Sequence, residues 1–79
     1  MTQAISTGHM HEGDVLVHEQ EDGQFALYDY AARRDNGEPV RRFAAKDQAL
    51  EAARNAVSKT GGTAWRSEWK TADKVEPLA

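Results

Sequence analysis

Apolar and polar positions along this chain repeat with two different periods, and the changes of period mark its elements. Residues 14–19 centre on Val15, Leu16 and Val17, a β-branched run too short for a helix, and predict a strand. Residues 24–30, with Phe25, Ala26, Leu27, Tyr28 and Tyr30, predict a second strand. Between them Asp22-Gly23 is a hairpin signal. A two-residue turn would set Val17 opposite Tyr28. A three-residue loop with Gly23 in the left-handed position of a bulge sets Val17 opposite Leu27. The second register gathers Val15, Val17, Phe25 and Leu27 on one face, leaving Leu16, His18, Ala26, Tyr28 and Tyr30 on the other, and is the expected one because it groups the purely apolar side chains.

Residues 31–39 are polar and contain Asn36-Gly37, which predicts a second hairpin leading into a short third strand over residues 40–43. The period then changes. Ala49, Leu50, Ala53, Ala56 and Val57 form one helical stripe within residues 46–60, with Asp47 and Glu51 early and Arg54 and Lys59 late, as the macrodipole prefers. Gly61-Gly62 ends the helix, while Ala45 offers no oxygen to cap its start. The small stripe lets the helix lie close to a sheet. Residues 63–70 alternate again, with Trp65, Ser67 and Trp69 on one face. The reading is an α+β fold, a small antiparallel β-β-β-α-β sheet with one amphipathic helix packed across it. Residues 1–13 are expected to be a disordered arm, 14–70 the domain, and 71–79 a flexible tail. Gly8-His9-Met10 also resembles a junction left by cloning.

Composition narrows the chemistry. The chain has 79 residues and no Cys, so it makes one domain with a thin core and without disulfides or thiolate ligands. With no secretory leader or membrane-spanning run, a cytoplasmic location is expected. His9, His11 and His18 have no Cys or fixed third ligand beside them and read as solvated histidines; no metal or other cofactor is expected. No nucleophile triad, phosphate loop or dinucleotide fingerprint is present, and Asp29 reads as a structural partner of Arg42 or of an exposed neighbour, so an enzyme is not expected.

Charge is unevenly placed. Residues 1–30 hold six acids and no Lys or Arg, whereas residues 31–79 hold all ten basic residues against seven acids. Arg33, Arg34, Arg41 and Arg42 are expected to meet across the second hairpin beside Tyr28 and Tyr30, the combination of cations and aromatic faces that a nucleic-acid-binding sheet uses. The competing reading is a solvated hairpin, favoured by the net charge of −3. Trp65 and Trp69 on one short strand exceed what a thin core hides, which points to a protein partner or a homodimer. The leading expectation is therefore a non-enzymatic protein-interaction module. Its alternatives are a nucleic-acid-binding module and a phage- or plasmid-encoded inhibitor.

Gly23-Gln24-Phe25-Ala26-Leu27, Phe43-Ala44-Ala45 and Ala49-Leu50-Glu51-Ala52-Ala53-Arg54, followed by Gly61-Gly62, resemble a family of small bacterial proteins that carry a domain of unknown function. The likeness spans roughly residues 14–70 and rests on packing motifs. It departs at Phe25, where that family has Trp, and at Ala45, where it has a capping Thr. The resemblance implies the fold and no activity. A weaker likeness is to the arm-type DNA-binding domains of phage integrases, which are richer in Lys and Arg. The helix is also similar to the last helix of double-stranded RNA-binding domains, but of their basic cluster only Lys46 is present.

Overall fold

A computed structural model describes residues 10–35, 37–71 and 75–78. The elements are β1 (Val15–Glu19), β2 (Phe25–Asp29), α1 (Tyr30–Arg34), β3 (Arg41–Phe43), α2 (Lys46–Thr60), β4 (Ala64–Glu68) and β5 (Glu76–Pro77), with a 3₁₀ turn at Trp69–Thr71. The strands form one sheet in the order β3-β2-β1-β4-β5. The class is α+β, as the periodicity predicts.

The first hairpin takes the three-residue loop. Val17 pairs with Leu27, Gly23 has φ of 85°, and the Gly23 N–H donates to the Gln20 carbonyl at 3.0 Å. Val15, Val17 and Leu27 consequently share one face and pack with Ala49, Ala53 and Ala64 under α2. Ala49 and Ala53 are fully buried, so the small stripe does bring the helix backbone onto the sheet. Gly61 ends α2 with φ of 74°, and Ala45 makes no side-chain cap.

The sheet is mixed rather than wholly antiparallel. β4 lies beside β1 and parallel to it, with Leu16 paired to Trp65 and His18 to Ser67. A parallel neighbour needs a crossover, and α2 supplies it by carrying the chain from the β3 edge over the sheet to the far side of β1. This places β1 at the centre, where Val15, Leu16 and Val17 are all buried.

Three local expectations change. Residues 30–34 form α1 instead of an extended hairpin arm. Asp29 caps it, accepting from the Ala32 N–H at 2.7 Å, and Ala31, Ala32, Arg33 and Arg34 are good helix formers. Asp29 is therefore a helix cap and not the partner of Arg42. Asn36 lies outside the described residues, and the connection between β2 and β3 is a helix-bearing excursion rather than a tight turn. The assigned arm of residues 1–13 also shrinks: residues 1–9 lie outside the described residues, but Met10 is only 4% exposed, packed with Leu16, Ala26 and Tyr28 on the sheet face away from α2. Within the assigned tail, Glu76–Pro77 pairs with β4, Leu78 packs on the α2-side core and Val75 on the opposite face. Residues 72–74 and 79 lie outside the described residues.

Candidate functional site

Val40 and Trp69 are the large hydrophobic side chains left exposed among the described residues, at 61% and 43%. Val40 stands on the rim of a groove of about 630 Å³ at the end of the sheet where β1 begins, between α1 and the C-terminal end of α2. Its apolar floor is Val15, Leu27 and Ala56, and its polar lining is Glu12, Asp14, Asp29, Thr60 and Arg34. Three carboxylates against one guanidinium make the groove negative, and the carbonyl end of α2 adds to that sign. Arg34 is further neutralised by Asp35, whose carboxylate it meets at 3.0 Å. That hydrogen bond and charge hold Asp35 below its ordinary value and raise Arg34.

The groove is shaped by the segment before β1. Asp14 Oδ1 accepts from the Thr63 N–H at 2.8 Å, while Oδ2 accepts from the His11 N–H at 2.9 Å and the Trp65 indole N–H at 3.0 Å. Burial pushes the Asp14 carboxyl up, but these donors and the neighbouring His11 outweigh it, so its pKa falls below the ordinary 3.8. Thr60 donates its hydroxyl to the Gly13 carbonyl at 2.6 Å. A side chain at Gly62 would run into that same carbonyl, so only glycine permits this close approach. Asp14 and Gly62 thus clamp the start of β1 to the end of α2.

The four arginines expected to meet are divided between the two faces of the sheet, Arg33 and Arg42 on the face away from α2, Arg34 and Arg41 on the α2 side. Arg33 is 8% exposed on the face away from α2, its guanidinium 4.9 Å from the centre of the Tyr28 ring. Arg34 lies over Tyr30 at 5.8 Å, on the groove side. Arg41 and Arg42 are consecutive on β3 and point to opposite faces, Arg41 over Phe43 at 5.0 Å and Arg42 toward Glu38 at 3.7 Å. Tyr28 is itself buried, so it offers no face to a base. Consecutive positions on α1 turn Arg33 and Arg34 to different sides, and the alternation of β3 does the same for Arg41 and Arg42.

The two tryptophans also part company. Trp65 is half-buried against the second core with its indole N–H on Asp14, whereas Trp69 has left the strand for the 3₁₀ turn and carries the Lys70 ammonium 5.6 Å above its ring. Trp69 follows Glu68, the residue paired with Glu19, and so lies at the opposite end of the sheet from the groove.

One polar pair sits on the face away from α2. His18 Nδ1 and Ser67 Oγ are 2.9 Å apart. Burial, then the charge of Arg33, depresses the His18 pKa below 6.5. A nucleophile–base pair needs an accessible hydroxyl and a group that raises the base; here Ser67 is 5% exposed and the neighbour is a cation. The pair is a satisfied, part-buried contact. Of the other histidines, His11 is exposed and His9 lies outside the described residues. Among the described residues no three His, Asp or Glu side chains converge as a metal set would, and no helix is long and apolar enough to cross a membrane.

Val40, Asp14 and Met10 escaped the sequence reading. An apolar residue after Pro39 reads as the start of a strand, and nothing in the local pattern shows that it will be left facing a groove. No protein family, curated protein or solved structure matches the chain.

Proposed function

We propose that this protein is a non-enzymatic protein-interaction module of the cytoplasm that binds through Val40 and Trp69, the large apolar side chains left exposed among the described residues. The observation that carries the reading is their placement. Among the described residues the other large apolar groups are buried or partly buried, while one stands on the rim of a sizeable groove and one beneath a lysine at the opposite end. The rival, a nucleic-acid-binding sheet, loses support because its arginines are divided between two faces and Tyr28 is covered.

Sedimentation of the wild type, Trp69→Ala and Arg41→Ala, together with titration of labelled duplex and single strands at two salt concentrations, tests this. Trp69→Ala should reduce self-association or partner binding by roughly tenfold or more, and Arg41→Ala should change it little. Nucleic-acid binding should be weak at physiological salt. Tight, strongly salt-dependent binding that Arg41→Ala abolishes would overturn the reading in favour of its rival.

A further inference from the structure

We infer that the groove's occupant is the Trp69-Lys70 pair of a second copy of this chain, an assignment that rests on the interaction reading above. The two surfaces are complementary in both chemistry and sign. The groove offers aliphatic side chains from Val15, Leu27, Val40 and Ala56 beneath a rim bearing Glu12 and Asp29. The opposite end offers one exposed indole with an ammonium held over its ring. A space of about 630 Å³ exceeds the volume of an indole ring. Docking would bury the indole against the aliphatic floor and bring Lys70 to the carboxylates and to the negative end of α2.

The contact is necessarily between molecules. The groove opens where Val15 pairs with Asp29, while Trp69 follows β4 beyond the Glu19–Glu68 pair, at the other end of β1. The groove of one copy therefore takes the anchor of another, and the two patches are different surfaces.

This heterologous geometry makes a mixing experiment decisive. Val40→Asp disables the groove but leaves a working anchor; Trp69→Ala does the reverse. Both positions are exposed, so both variants should melt as the wild type does, which circular dichroism checks first. By sedimentation velocity and Trp fluorescence anisotropy, each variant alone should associate at least about tenfold more weakly than the wild type. An equimolar mixture of the two should regain association, because one supplies an intact groove and the other an intact anchor. Lys70→Glu should weaken the wild-type contact, Lys70→Arg should not, and added salt should weaken it modestly.

If the wild type associates and the mixture does not recover, the groove-to-anchor assignment is overturned while the interaction reading survives. A wild type that stays monomeric into the millimolar range overturns the assignment as well. The broader reading falls only if, in addition, neither variant alters binding to any partner.

Discussion

At the scale of single residues, Asp14 and His18 show how a buried polar group can hold a small fold together or sensitise it to acid. Asp14 satisfies three donors from three places in the chain with one carboxylate. Asp14→Asn keeps the shape but replaces one acceptor oxygen with an NH2 group, so that either the Thr63 N–H or the His11 and Trp65 N–H groups face a donor. Chemical denaturation should show a loss of about 3 kcal/mol, with altered Trp emission. Because its folded pKa lies below 3.8, the Asp14 contribution is full above that pH and is lost as pH falls below it toward the folded value. His18 acts in a higher window. Its folded pKa lies below 6.5, so as pH falls through 6.5 the unfolded chain takes up the proton first and stability declines until the folded value is reached. Urea titrations between pH 5 and 8 should show that slope in the wild type and a flatter profile in His18→Gln. An unchanged slope in the variant would assign the effect to another group.

At the scale of elements, α2 and α1 illustrate strong and weak local signals. The Ala stripe of α2 is legible because five positions recur on one face over about two and a half turns, and the structure turns it to the core, with Ala49 and Ala53 buried and Leu50, Ala56 and Val57 partly so. Ala53→Asp places a charge at a fully buried position under the helix and should cost about 3–5 kcal/mol, enough to unfold a domain this small. Gln48→Ala, on the exposed face, should leave the thermal midpoint nearly unchanged, and similar melts for the two would mean that the helix faces the other way. The signal for α1 was an Asp followed by Tyr-Ala-Ala-Arg-Arg, a cap and one turn of helix formers. Such a short segment is only marginally helical alone. It is held by the Asp29 cap and by Arg33 and Ala32 packing over the sheet, neither of which a local pattern reveals. That one helix also explains why Arg33 and Arg34, neighbours in sequence, end on different sides of the sheet.

At the scale of the whole molecule, the thinness of the core makes the segment of residues 75–78 structural. Val75 and Leu78 flank β5 and pack on opposite faces of the sheet, and Leu78 donates its N–H to the Ala64 carbonyl at 2.9 Å. Truncation after residue 74 should therefore lower stability by about 2 kcal/mol, measured as a drop in denaturation midpoint, where a loose tail would give none. A truncated chain as stable as the full one would show that β5 contributes no net stability. The same geometry puts the groove and Trp69 at opposite ends, so the two exposed apolar groups cannot cover each other within one molecule.

What the sequence determined by itself is whatever depends on near neighbours: the hairpin register through Gly23, the helix and its Gly61 end, the two-faced alternation of β1 and β2, and thus the α+β class. Local sterics and side-chain period decide these within a few residues. Strand order, the parallel seating of β4 beside β1, the recruitment of Asp14 by Thr63 and Trp65, and the exposure of Val40 were decided only by tertiary structure. Each joins segments about fifty residues apart or depends on what fails to arrive above a side chain. Such outcomes follow from the competition of distant surfaces for burial, which no local period encodes.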